Sequence, residues 1–377
     1  MKREKWIAFI KKEVVLVVSA ILALLSMCLV PPSIAYIQYI DVRVLAILFC
    51  LMTVMAGLQK NGVFGWVASV LLQKTKNVRQ LCLVLVFLCF FFSMCITNDV
   101  ALLTFVPFSV LVLQMCQQEQ FLIPVIVLQT IAANLGSMLT PIGNPQNIYL
   151  YTLGGFSLHA FMGCVFPYWI LAGVGIFIWC CFITRKQEKI DLGQALEERP
   201  SSEKNNKKKI VLYMVMFLLS MLVVLRVLPY YWVLVLVFGS TLLMEPAVLK
   251  RVDYSLLLTF TFFFVFTGNM GHLEVIKQWL QSMVEGRSIW LGILVSQVIS
   301  NVPAALLLSG FTENYHQLLL GVDLGGLGTL IASMASLISY KIYVQTHAEQ
   351  KGRYFLYFTV ANLVFLLMMV IAYALVG

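Results

Sequence analysis

Apolar residues fill this chain in long runs, each near the ~20 residues that cross a bilayer as a helix. The runs recur along the whole length. Two of them carry breaks that a simple spanning helix avoids. In SMCITNDVALLTFVPF the break is Thr97, Asn98 and Asp99; in NLGSMLTPIGNPQNIYLY it is Thr140, Pro141, Gly143, Asn144, Pro145 and Asn147. Backbone freed from helical hydrogen bonds in hydrocarbon costs several kcal/mol per group, so such breaks survive only where they are buried in protein or line a watery cavity. Two breaks so close in sequence predict a binding site at membrane depth.

The pattern predicts helices over 14–31 and 43–58, then a surface helix over 61–78 with Lys at both ends. Short arms over 80–95 and 100–116 flank the first break and predict a re-entrant hairpin with Thr97, Asn98 and Asp99 at its tip. Two full crossings joined by a polar turn are the alternative. A span over 121–150, broken at 139–147, and a helix over 158–184 follow. Residues 185–209 are charged and without apolar periodicity, and read as a cytoplasmic linker. Beyond it the pattern predicts helices over 210–228, 231–248 and 254–270, and a second surface helix over 271–287. A second hairpin over 288–309, broken at Ser300-Asn301-Val302-Pro303, a second broken span over 316–343 and a last helix over 354–376 complete the chain.

The two halves resemble each other. FCLMTVMAGLQKNGVF parallels FTFFFVFTGNMGHLEV, ITNDVALLTFVPF parallels ISNVPAALLLSGF, and NLGSMLTPIGNPQNIYLY parallels GLGTLIASMASLISYKIY, with Gly136 opposite Gly328 and Tyr151 opposite Tyr343. Basic residues in the loops place the N-terminus and the first hairpin on the cytoplasmic side, and the second hairpin and the C-terminus outside. The expected fold is an all-α polytopic membrane protein of about nine spans and two hairpins. Residues 1–184 form a first inverted repeat, 185–209 the linker, and 210–377 an extra helix and the second repeat. Inverted repeats with paired broken helices mark secondary transporters.

Composition agrees: 61% of residues are hydrophobic and 11% charged, against about 25% charged in soluble domains. The net charge of +9 follows from basic loops rather than from a nucleic-acid surface. The nine cysteines lie in the first half without metal-ligand spacing, and read as small buried hydrophobes, with a thiol role as the alternative. His159, His272, His316 and His347 fall at span ends or loops and are assigned no site. No cluster of His, Asp, Glu or Cys suggests an enzyme, and no nucleotide-binding motif suggests an ATP-driven pump; no cofactor is expected.

ITNDVALLTFVPF and ISNVPAALLL resemble the hairpin motifs of the ion transporter superfamily, which includes divalent anion–sodium symporters, citrate–metal permeases, ArsB-type arsenite permeases and NhaD-type sodium–proton antiporters. TPIGNPQN is similar to the first broken-helix motif of the anion symporters, and GVDLGG is similar to the ArsB-type second half, which places the chain nearest the ArsB/YbiR-like branch. The resemblance implies two hairpin tips and two broken helices that meet around substrate and coupling ion, H⁺ or Na⁺. On this chain those residues are Thr97, Asn98, Asp99, Thr140, Gly143, Asn144 and Asn147, with Ser300, Asn301, Thr329, Ser333 and Ser336 on the second side. Carboxylate-binding members carry Ser-Asn-Thr at both tips; here the tips read Thr-Asn-Asp and Ser-Asn-Val, which speaks against a dicarboxylate. In that alignment Ala332-Ser333 stand opposite Thr140-Pro141 and Ser336 opposite Asn144, so the first half, near Asn98 and Asn144, is the better candidate for any sodium site. The resemblance also implies a homodimer and the inner membrane of a prokaryote.

Helix N-termini and Asn or Ser donors suit an anion in such a site. Asp99, an acid inside a membrane segment, is a functional candidate by default and the expected carrier of a proton; capping of the following half-helix is the other role open to it. Asp323 precedes the second broken span, where function and simple loop solvation are equally open. Glu245 and Arg226, near span ends, are expected to reach the interface. A small anion or oxyanion moved by alternating access is the first expectation; sodium–proton exchange and arsenite or antimonite efflux are the alternatives.

Overall fold

The computed structural model describes residues 13–34, 36–73, 75–185 and 207–376. The basic N-terminal residues and most of the predicted linker lie outside them. Helices account for most of the described chain, and no strand occurs among the described residues. The first half comprises α1 (Val14–Leu29), α2 (Tyr36–Tyr39), α3 (Val42–Lys60), α4 (Val63–Leu72), α5 (Val78–Ile96), α6 (Asn98–Met115), α7 (Leu122–Ser137), α8 (Pro145–Leu153) and α9 (Leu158–Ile183). The second comprises α10 (Lys207–Val224), α11 (Tyr230–Met244), α12 (Tyr254–His272), α13 (Glu274–Val284), α14 (Ser288–Ile299), α15 (Asn301–Leu308), α16 (Tyr315–Leu324), α17 (Met334–Thr346) and α18 (Lys351–Val376).

Among the described residues seven helices are long and apolar enough to cross a bilayer, and the protein is an integral membrane protein. This is fewer than the nine expected, for three reasons. α1 and α11 close after 16 and 15 residues. α10 opens on three lysines. The broken spans are divided into limbs. The first hairpin also departs from expectation: its arms are 19 and 18 residues and long enough to cross, where short arms were expected. The arms of the second are 12 and 8 residues.

α7 is the centre of the fold. Of the span that contains it 83% is buried, against 22% for α9 and 28% for α18, whose apolar faces form the periphery. α5 packs along α7, and α14 packs along α16 in the same way. Glycine permits both contacts: a Cβ on Gly136 would lie 2.1 Å from the Phe90 carbonyl oxygen, and one on Gly321 would lie 2.6 Å from that of Ile289. The halves then interlock, with α6 against α17 and α15 against α8. α13 is amphipathic, as the sequence suggests. α4 is not: Phe64, Ala68 and Leu72 face inward, while Trp66, Val70 and Leu71 are exposed.

Glu245 does not reach outward as expected. It is 8% exposed and sits 2.8 Å from Lys60 and 3.4 Å from Lys209. It also accepts hydrogen bonds from Tyr213 at 3.2 Å and Asn61 at 3.4 Å. The cluster ties the ends of α3 and α11 to the start of α10. Burial alone pushes the Glu245 carboxyl up. The Lys60 hydrogen bond and charge, the Asn61 amide and the Lys209 charge outweigh it and hold the group below the usual carboxylate range. A depressed carboxyl contributes stability above its unfolded value, and that contribution is lost as pH falls through the folded one. Glu245→Gln should therefore cost roughly 1–3 kcal/mol at pH 7. Melting of wild type and variant in detergent should converge below the ordinary value of 4.5; a gap that widens in acid would refute this role.

Candidate functional site

Each hairpin turns on a single residue. Thr97 has φ 62° and ψ 149°, and Ser300 has φ 76° and ψ 155°. This region is nearly exclusive to glycine and costs of order 1–3 kcal/mol per residue, so strain of the same kind at both tips points to function. The helix after each tip starts on asparagine. Asn98 N–H donates to the Gly143 carbonyl at 3.1 Å, and Asn301 N–H donates to the Ala332 carbonyl at 3.0 Å. Each tip is thus pinned to the break of its own half's broken span.

The breaks repeat one another bond for bond. Gly143 N–H donates to Thr140, and Ala332 N–H donates to Thr329, each at 3.2 Å. The Thr140 hydroxyl donates to the Met94 carbonyl, and the Thr329 hydroxyl to the Gln297 carbonyl. Asn144 and Ser333 are the extended N-caps of α8 and α17. These bonds correct the alignment read from sequence by three residues. Thr329, not Ala332, stands where Thr140 does; Ser333 stands where Asn144 does, and Ser336 where Asn147 does. The apolar runs on either side align equally well in both registers; the hydrogen bonds do not.

Between the tips and the breaks lies a small cleft lined by Asn98, Asp99, Pro145, Gln146, Asp253, Leu256, Asn301, Val302, Ser333 and Met334. Of the expected residues it brings together Asn98, Asp99, Asn301 and Ser333. Thr97 and Ser300 shape the tips. Thr140 and Thr329 spend their hydroxyls on backbone carbonyls, and Gly143 offers its carbonyl to the first tip. Asn144 and Asn147 lie behind the cleft, and Ser336 is fully buried. Asp99 is half-buried, and its own N–H is taken by Asn98 Oδ1 at 2.9 Å. Its carboxylate accepts no hydrogen bond among the described residues, so it caps nothing there.

Three participants escape the sequence reading. Asp253 caps α12 through Leu256 N–H at 2.9 Å and faces the cleft. Gln146 lines the cleft and donates to Asp323 at 3.2 Å. Asn134, 2% exposed on α7, accepts from Asn98 Nδ2 and Ser333 Oγ at 3.0 Å each and donates to the Gly326 carbonyl at 3.2 Å. One side chain thus joins the first tip to both sides of the second break. Asp323 itself is corrected: it lies within α16, 2% exposed, and loop solvation does not explain it. Among the described residues no group of His, Cys, Asp and Glu can hold a metal; all nine cysteines are free, and only Cys50, Cys82, Cys89 and Cys180 are buried, so the reading of all nine as buried hydrophobes is corrected.

Sequence comparison places this geometry in a lineage. The profile of the citrate transporter family matches residues 6–317. The chain belongs to that family. It is 31% identical over 296 residues to an uncharacterized transporter of Methanocaldococcus jannaschii, covering 78% of this chain and 79% of the relative. It is 30% identical over 324 residues to the inner membrane protein YbiR of Escherichia coli, covering 80% of each. A silicon efflux transporter of Oryza sativa is 30% identical over 138 residues, 36% of this chain and 28% of the relative. The family is one of transporters rather than enzymes, and it agrees with the resemblance to the ArsB and NhaD superfamily.

Proposed function

We propose that this citrate-transporter-family protein is a secondary active transporter that moves a small anion or oxyanion with H⁺ or Na⁺ by alternating access. The observation that carries the reading is the convergence of helix N-termini. Asn98, Pro145, Asn301 and Met334 each begin a helix, and all four line one cleft. A helix N-terminus carries roughly half a positive charge and free N–H groups, so four present about two charges to a ligand. Two carboxylates, Asp99 and Asp253, face the same space, and among the described residues no lysine, arginine or histidine lines it. An ionised Asp99 offsets part of that positive potential, and its protonation restores it. Anion binding and protonation favour each other, which is the thermodynamic basis of coupled transport.

The matched tips and breaks support two inverted repeats that carry the site against a scaffold of the remaining helices, as in other transporters of this build. The inner membrane is the expected location, by analogy with YbiR.

The test is flux in proteoliposomes, wild type beside Asp99→Asn, with sulfate, dicarboxylates and arsenite as probes. Anion uptake driven by a proton gradient should appear in wild type. The variant should lose the pH dependence of that uptake while still binding anion. The two carboxylates in the cleft favour a second reading, sodium–proton exchange at Asp99; sodium-driven proton movement with no anion requirement would replace the first reading by this one.

A further inference from the structure

The residues that the tips and breaks bring to the cleft come in matched pairs. Asn98 and Asn301 start the helices after the tips, Asp99 and Val302 follow them, and Pro145 and Met334 start the helices after the breaks. Each pair joins counterparts from the two halves. Asp253 and Leu256 differ: both belong to the start of α12, and no residue of α3 answers them in the cleft.

Their counterparts stand elsewhere. α3 and α12 are both 19 residues long. Asp41 caps α3 at φ −76° and ψ 88°, and Asp253 caps α12 at φ −79° and ψ 85°. Asp41 Oδ1 accepts the Val44 N–H at 3.0 Å, as Asp253 Oδ1 accepts that of Leu256 at 2.9 Å. These caps set the two helices one residue from the register read in sequence, and pair Asp41 with Asp253 and Val44 with Leu256. The two pairs lie at opposite ends of the bundle. Lys60, at the end of α3, shares Glu245 with Lys209, and α3 touches the turn Leu249–Arg251 that leads into α12. Basic residues mark that end as cytoplasmic. Asp41 stands at the other end of α3, ~28 Å from Lys60 at the rise of an α-helix. Val44 is 0% exposed there.

Alternating access moves one bundle against the other around a fixed site. For inverted repeats, the state open to the opposite side arises when each half takes up the arrangement of the other. The matched pairs keep their places under that exchange, and the unmatched pair must be replaced. We propose that Asp253 and Leu256 form the cytoplasmic wall of the cleft, and that Asp41 and Val44 take their place when the site opens outward. Each carboxylate offsets the positive end of the helix it caps and repels a bound anion, so each favours release on its own side. This exchange rests on the transporter reading; the exposure of Val44 is tested without any substrate.

The experiment is labelling of Val44→Cys and Leu256→Cys in proteoliposomes of known orientation. A membrane-impermeant maleimide is added to one side, and mass spectrometry locates the labelled peptide. Wild type, whose Cys28 and Cys95 are exposed, gives the background. Val44→Cys should react from outside only, and Leu256→Cys from the cytoplasmic side only. Labelling of Val44→Cys from the cytoplasmic side would overturn the exchange. So would its failure to react from outside in a time that labels Leu256→Cys fully. The charges are tested with Asp41→Asn and Asp253→Asn. Asparagine caps a helix as well as aspartate does, so both variants should melt with wild type. With sulfate, a dicarboxylate or arsenite as flux probe, Asp253→Asn should lower KM about fivefold or more on the cytoplasmic side alone, and Asp41→Asn on the outer side alone. Equal changes on both sides, or a raised KM, would refute the release role. Sided labelling without anion flux removes the anion reading and keeps the exchange; anion flux without outside labelling of Val44→Cys does the reverse.

Discussion

Gly143→Ala should abolish transport. A Cβ there would lie 2.0 Å from the Ser137 carbonyl oxygen, and 2.7 and 2.8 Å from the Ser137 carbonyl carbon and Cα. All three are backbone atoms at the end of α7, so no side chain can swing aside. The break must open, and its opening carries away the Gly143 carbonyl that holds Asn98 N–H at 3.1 Å. Overpacking of this kind costs about 1–3 kcal/mol, and the buried N–H left unpaired costs roughly 1–3 more. The first tip then loses its place beside the second, and the four helix ends no longer share a cleft. Flux should fall below about a tenth of wild type, a loss of more than ~1.4 kcal/mol in transition-state stabilisation. Gly65→Ala is the control, since a Cβ there meets nothing within 4 Å. Wild-type flux from the Gly143 variant would show that the tip is not held by this break.

Asn134→Ala should have the next largest effect. It leaves Asn98 Nδ2 and the Gly326 carbonyl without these partners and takes the acceptor of the Ser333 hydroxyl, whose oxygen still accepts from Ala335 N–H. Each buried group without a partner costs roughly 1–3 kcal/mol, and water has little access at 2% exposure. The loss falls on the junction between the halves, so substrate affinity should drop together with melting temperature. Asn134→Asp keeps two acceptors and loses the donor to Gly326; it should retain more of both properties. Unchanged melting and flux in the alanine variant would mean that the halves are held by apolar packing alone.

Much of this was legible in the residues. Unbroken apolar runs, polar interruptions and basic loops are local properties, and the bilayer acts on them locally: a segment either satisfies its own backbone in hydrocarbon or must be sheltered. That reasoning places Thr97–Asp99, Thr140–Asn147 and Ser300–Asn301 at breaks, and the structure has helix interruptions or helix starts at all three. It also marks Asp99, which lines the cleft. The lengths of the first hairpin's arms were less legible. Thr97 alone interrupts the helix, so the polar triplet overstates the break, and Asn98 and Asp99 belong to α6.

By itself the sequence determined the class of protein, the order of its elements and the segments that cannot be plain spans. The tertiary structure decided the register of the two breaks, because apolar helices tolerate a slip of three residues and the hydrogen bonds of Thr140 and Thr329 do not. It decided that Asn134 joins the halves and that Asp323 is buried in a helix rather than solvated in a loop: their partners lie 192 and 177 residues away in Gly326 and Gln146. It decided that Glu245 is buried, because the lysines that neutralise it come from two other helices. Bilayer burial is written residue by residue along the chain. Polar partnership inside the bundle is written only between segments that folding brings together.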